Sequence, residues 1–115
     1  MTAEDSTPKA VVQRQVEAYN QGDIDEFVTC YDEQASVVDL AQNEILAEDS
    51  TEIRAHFVEL FDTVPDLQCE VRDKFQVGEY VALHEHVTAM GESRDALAVY
   101  QVQNGLIQGL WLGEP

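Results

Sequence analysis

Residues 10–40, AVVQRQVEAYNQGDIDEFVTCYDEQASVVDL, followed after a short connection by residues 50–57, STEIRAHF, decide the fold. Val12, Val16 and Tyr19 fall at i, i+4 and i+7, the buried stripe of an amphipathic helix. Ser6 or Thr7 caps that helix with Pro8 in its first turn, and Asn20-Gln21-Gly22 stops it. Asp23, with Glu26 three residues on, forms a capping-box-like start to a second helix, where Ile24, Phe27, Val28 and Tyr31 share a face. Residues 35–40 then read as a strand that carries a carboxylate, Asp39, to its end. Asp49 or Ser50 caps a third helix, in which Ile53, Phe57, Leu60 and Phe61 repeat the helical spacing until Val64-Pro65 ends it.

Beyond Pro65 the period drops from 3.6 to 2. Leu67, Cys69, Val71, Phe75 and Val77 alternate with Gln68, Glu70, Arg72, Lys74 and Gln76, which predicts a half-buried strand. Gly78-Glu79 turns the chain, and residues 80–90 form the next strand. After a turn over residues 91–95, residues 96–103 form a third strand. Asn104-Gly105 is a strong hairpin signal, and residues 106–112 are the last strand. Helices first and an antiparallel meander afterwards predict an α+β domain, with three N-terminal helices packed on one face of a curved, mainly antiparallel sheet. A chain of 115 residues is long enough for one core. The expected organisation is a flexible N-terminus, residues 1–6, and a single domain, residues 7–115.

Charge bounds the partners. The chain has 23 Asp+Glu against 6 Lys+Arg, a formal net charge of −17, and the acids are dispersed. Such a surface repels nucleic acid and anionic membranes, so neither is an expected partner. Self-repulsion strains the compact state in dilute salt, and at ~1 M salt a Debye length of about 3 Å screens most of it. Acid-rich, lysine-poor surfaces of this kind resemble those of salt-in halophiles. No apolar run approaches the roughly 18 residues of a membrane span. The first residues lack the basic and apolar regions of a secretory signal, so the expected location is cytoplasmic. Cys30 and Cys69 sit at apolar-face positions and are expected to be free buried thiols.

This pattern resembles the NTF2-like superfamily, and within it the ketosteroid isomerases and SnoaL-like cyclases. The resemblance is densest over residues 10–40 and returns in the last hairpin, YQVQNGLIQGLW. It implies a cone with a pocket between the helices and the concave sheet face. In the isomerases the general base is an Asp at the end of the first strand, after a run similar to Ala35-Ser36-Val37-Val38, which makes Asp39 the candidate base. Sharing a strand face with Val37, it would point into an apolar pocket, where desolvation raises a carboxylate's pKa; the alternative is a solvated strand-end Asp in a chain full of acids. The isomerases' oxyanion donors are a Tyr on the first helix and a protonated Asp on a late strand. Those positions correspond to Gln15, a weaker donor, and Ala98, whose side chain donates nothing. Loss of one such donor costs about 10²–10³ in rate, so efficient steroid isomerisation is not expected.

Other candidates come from the strands. In VALHEHVTAM, alternation places Val81, Leu83, Glu85, Val87 and Ala89 on one face, and Tyr80, His84, His86, Thr88 and Met90 on the other. One register makes Glu85 a buried pocket acid and a partner for Asp39, the opposite one turns both histidines inward, and a third reading leaves all three at an interface or on the surface. Histidines at i, i+2 can chelate a metal, but no third ligand completes a set, so no metal site is expected. Trp111, with Ile107, matches a family strand where a Trp often lines the cavity. Tyr19, Phe57, Phe61 and Tyr100 are further pocket-or-core positions, and Arg54 is expected to pair with a surface acid. No glycine-rich phosphate loop appears, so no cofactor is expected. The reading is a homodimer, paired through the sheet face bearing Tyr80 and Met90, with a pocket for a small apolar molecule. It would be a proton-transfer isomerase or aldol-type cyclase with Asp39 as base. The alternatives are a non-catalytic ligand-binding or dimerisation module, and a subunit of a larger assembly.

Overall fold

The computed structural model describes residues 6–113, so the expected flexible segment, residues 1–6, lies outside it except for Ser6. The chain runs α1 (Pro8–Gln21), α2 (Ile24–Thr29), β1 (Tyr31–Asp39), β2 (Glu44–Ala47), α3 (Ser50–Thr63), β3 (Gln68–Val77), β4 (Tyr80–Ala89), β5 (Glu92–Gln103) and β6 (Leu106–Gly113). The six strands form one curved, mixed sheet in the order β2-β1-β6-β5-β4-β3. Neighbours pair antiparallel except β1 with β6, which run parallel. The expectation of three N-terminal helices holds only in part. The connection after Asp39 contains a strand, β2, so a β-hairpin separates α3 from the first two helices.

Local chemistry accounts for the element ends. Thr7 is the α1 N-cap with Pro8 in the first turn, and Gly22, at φ +66°, caps the C-terminus through its N–H to the Ala18 and Tyr19 carbonyls. Asp23 accepts from the Glu26 N–H at 3.1 Å, and Asp49 from the Glu52 N–H at 2.9 Å. α2 stops at Thr29, two residues earlier than its apolar spacing suggests. Tyr31 therefore begins β1 and does not complete a helix face, though it is buried either way. Asp66 ties the β4–β5 turn to the α3–β3 connection by accepting from the Met90 and Gly91 N–H groups, both at 2.8 Å. Those two bonds hold Met90 at φ +56°, an uncommon backbone state for a residue with a Cβ.

Among the described residues the helices cover the concave sheet face and leave the convex face bare. Phe27, fully buried, sits at the centre of the core with ring centroids of Phe57 at 4.6 Å, Tyr31 at 5.2 Å, Phe61 at 5.7 Å and Tyr19 at 6.2 Å. α1 is fastened to the edge strand β3 at Asn20, whose backbone carbonyl also accepts from Gln68 Nε2 at 3.1 Å. Asn20 donates to the Cys69 carbonyl at 2.9 Å and accepts from the Cys69 N–H at 2.7 Å, as a neighbouring strand would.

Two irregularities redirect side chains that simple alternation misplaces. In β3 the register slips between Val71, opposite Glu85, and Asp73, opposite His84. The extra residue, Arg72, moves the rest of the strand to the other face. Phe75 and Val77 therefore join Tyr80 and Ala82 outside, 61% and 65% exposed, not half-buried as their alternation predicts. In β6 a second slip, at Gln108, separates Ile107 from Trp111. Ile107 stays in the core, whereas Trp111 pairs with Val99 and Val38 on the convex face. Its ring lies over Gly109, where a Cβ would come within 2.7 Å of it.

Candidate functional site

Between α1, α3 and the concave face lies a cavity of about 410 Å³. α1 contributes Gln15, Val16 and Tyr19, and α3 contributes His56, Phe57 and Leu60. From the sheet and the β1–β2 turn come Asp39, Gln42, Cys69, Glu85, Tyr100 and Leu110, among others. The structure thus gathers Gln15, Tyr19, Asp39, Phe57, Glu85 and Tyr100 from across the sequence. It leaves three expected lining residues out. Ala98 is fully buried in the core, Phe61 belongs to the aromatic cluster around Phe27, and the slip at Gln108 puts Trp111 on the opposite sheet face.

The registers settle which face of β4 turns inward. Glu85 is opposite Val71 on β3 and Ala96 on β5, and is only 7% exposed. His84 and His86 take the other face and converge on Asp95, at 3.3 Å and 2.8 Å. Their hydrogen bonds hold the Asp95 carboxyl below the usual range. Among the described residues no cluster of three or more His, Cys, Asp or Glu is placed to hold a metal ion. Arg54 reaches Asp25 on α2, as expected of a surface cation.

Glu85 lies beside a buried cluster of hydrogen-bonded side chains. The Tyr31 hydroxyl donates to Gln15 Oε1 at 2.7 Å, and Gln15 Nε2 donates to the Tyr100 hydroxyl at 3.3 Å. The Tyr100 hydroxyl also faces Gln15 Oε1 at 3.5 Å, and Tyr100 and the Cys69 thiol lie beside the Glu85 carboxyl, where their O–H and S–H favour its charged form. Burial raises both tyrosines well above their ordinary range and pushes the Cys69 thiol up to about 12, so all three remain protonated donors. Burial pushes Glu85 itself up to about 7, against the pull of its two donors. A carboxyl with a pKa near neutrality holds and releases a proton with equal ease at neutral pH, the condition for general acid–base work.

Asp39 sits at the open end, half-buried at the end of β1 beside exposed Ala41 and Gln42. Its Oδ1 accepts from the Ala41 N–H at 2.9 Å and the Gln42 N–H at 3.4 Å, which shapes the β1–β2 turn. Sequence reasoning missed two members of the network. Tyr31 was hidden by its placement on a helix, and Cys69 by its reading as an inert core thiol. The signal available was Glu85 in phase with Val81, Leu83 and Val87, since a carboxylate in an apolar row needs donors.

A helix-covered, curved sheet with an end-on cavity defines the NTF2-like architecture. Within that superfamily the chain belongs to the SnoaL-like domain family, whose defining pattern matches residues 12–109. No curated protein matches the sequence. Among solved structures, an uncharacterised cystatin-fold protein from Novosphingobium aromaticivorans is similar at 24% identity, covering 92% of this chain and 97% of its own, with a TM-score of 0.85. An NTF2-like protein of unknown function from Cytophaga hutchinsonii is similar at 16% identity over 100% and 95% of the two chains, TM-score 0.84. A candidate polyketide cyclase from Streptomyces antibioticus is similar at 18% identity over 91% and 89%, TM-score 0.78. At these identities the likeness is one of fold.

Proposed function

We propose that this SnoaL-like protein is a cofactor-independent proton-transfer enzyme, an isomerase or aldol-type cyclase, acting on a small, largely apolar molecule, with Glu85 as its acid–base group. The observation that carries this reading is the make-up of the cavity: one buried carboxyl, poised near neutrality, lies beside Cys69 and Tyr100, and Tyr100 is held by the Gln15–Tyr31 hydrogen bonds. The family resemblance gives the base role to Asp39. Asp39 shares the cavity, but its Oδ1 is committed to the β1–β2 turn, and we place it in substrate binding at the mouth.

The test is α-proton exchange in D2O of small cyclic ketones, neutral and amine-bearing, followed by NMR. Wild type is expected to accelerate exchange, and Glu85→Gln to lower that acceleration by about 10²-fold or more, the scale of a lost general base. Asp39→Asn is expected to cost less than about tenfold. Exchange that survives Glu85→Gln and is lost in Asp39→Asn would return the base to Asp39. A wild type that accelerates nothing would leave a binding module.

We further infer a homodimer working in the cytoplasm at high salt. Reading straight across the bare convex face, Ile45, Val38, Trp111, Val99, Ala82 and Phe75 are register partners on all six strands, one continuous apolar row. Exposed Leu97, Val77 and Tyr80 flank it. Such a band on a chain this acidic needs cover that screening permits. In ~2 M KCl light scattering is expected to give about twice the 12.9 kDa chain mass. The double variant Leu97→Asp, Phe75→Asp, changed only at exposed positions, should give the single-chain mass. Raising KCl from ~0.1 to ~2 M should lift the melting temperature by roughly 10 °C, equivalent to about 2 kcal/mol at this size. A flat profile would remove the high-salt reading.

A further inference from the structure

We propose that the cavity's ligand is an organic cation, a protonated amine with a compact apolar body, whose ammonium group sits on the Glu85 carboxylate. This rests on the cavity being the functional site and on Glu85 being its central group, and it names the class of molecule the site takes.

Among the described residues the lining contains no Lys or Arg. Arg54 is committed to Asp25 and Arg72 to Glu70, both on the outside. A carboxylate or phosphate ligand would face Glu85 in the depth and Asp39 at the mouth with no fixed counter-charge. The wall therefore disfavours anions. Only His56, exposed on α3, offers an ionisable nitrogen there.

Hydrogen-bond supply separates a neutral polar ligand from a cation. A carbonyl or ether by itself finds few uncommitted donors at the deep end, since the Tyr31 hydroxyl is given to Gln15 Oε1 and one Gln15 N–H to Tyr100, so the deep end suits an ammonium carried on the same molecule as any carbonyl. An ammonium needs acceptors. An ionised carboxylate has about four acceptor sites, and Cys69 and Tyr100 are the neighbours that could take at most two of them. The unused acceptor capacity at the deep end thus matches an N–H donor, and a charged pair there makes the stronger kind of hydrogen bond. Around it, Tyr19, Phe57 and Tyr100 line the wall with aromatic surface, which attracts alkylammonium groups, and Val16 and Leu110 receive the apolar body. Outside, the dispersed charge of −17 raises the local concentration of cations in dilute salt.

Three probes sharing one ring test the inference by calorimetry: cyclohexylmethylammonium, cyclohexylmethanol and cyclohexanecarboxylate. Measurements at about pH 8 keep Glu85 ionised, and ~2 M KCl screens the surface so that only the local site discriminates. The ammonium is expected to bind at least about tenfold more tightly than the alcohol, with no saturable binding of the carboxylate. In Glu85→Gln the ammonium and the alcohol should bind within about twofold of each other, the alcohol's affinity showing that the cavity is intact. An alcohol that binds as well as the ammonium, a carboxylate that binds, a preference that survives Glu85→Gln, or no saturable binding by any probe would each overturn it. Ammonium selectivity without proton exchange would retain the ligand class and reject the enzyme; exchange without selectivity would do the reverse.

Discussion

Glu85→Gln is expected to make the protein more stable at alkaline pH, by up to roughly 3 kcal/mol at about pH 8. Glu85 is raised from 4.5 to about 7 in the folded protein because burial disfavours its charge. Between those two values the folded state holds a proton that the unfolded chain has released. Stability must therefore fall as pH rises through that window, and it stays low above it. Glutamine keeps the shape and cannot ionise, so the fall disappears in the variant. Near pH 4 both states of the wild type hold the proton, and the two proteins should be about equally stable. Asp66 and Asp95, held low by their hydrogen bonds, act with the opposite sign and in a more acidic range, so they do not obscure the window. Urea titrations at fixed high salt from about pH 4 to pH 9 measure the difference directly. Parallel profiles for the two proteins would show that Glu85 is not desolvated as the cavity requires. Stability traded for reactivity at one residue is the expected signature of a working site.

The reach of the sequence can be traced residue by residue. Helix boundaries were legible where a side chain caps a backbone, as at Asp23 and Asp49, and the last hairpin where Asn104-Gly105 supplies two residues at positive φ. The concave-face position of Asp39 came from its phase with Val37. The illegible parts were decided by partners distant in the chain. Nothing in the residues around Arg72 or Gln108 announces a bulge; each arises from fitting a curved sheet, and each reverses the facing of the rest of its strand. Trp111 and Phe75 were misplaced for that reason alone. β2 was invisible because four residues, half of them exposed, carry too little pattern. The catalytic candidate was half legible. Alternation offered Glu85 on one of two faces, and the choice needed the ladder with β3 and β5. Its donors Tyr100 and Cys69 come from those neighbouring strands, and Gln15 from α1, so no local spacing could have assembled them.

Phe27→Ala is expected to be the most damaging single truncation in the core, and to disable the cavity as well. Phe27 is fully enclosed, and removing its ring forfeits both transfer free energy and the contacts around the void, about 3–5 kcal/mol for Phe→Ala. In a domain of this size that lowers the melting temperature by roughly 15–25 °C. The ring also backs the functional wall. Tyr19 and Phe57 line the cavity directly against it, and Tyr31, 5.2 Å away, carries the hydroxyl that bonds Gln15 on the cavity wall. Relaxation into the void would move all three. Phe75→Ala provides the contrast: the same atoms are removed from a side chain 61% exposed, and a well-diluted single chain should lose no more than about 0.5 kcal/mol. Chemical denaturation of both variants at high salt, with cyclohexylmethanol binding as the cavity readout, separates the two effects. Equal losses for the two phenylalanines would mean that Phe27 is not the centre of the core. A Phe27→Ala protein that is destabilised yet binds normally would mean that the aromatic cluster supports the fold without shaping the site.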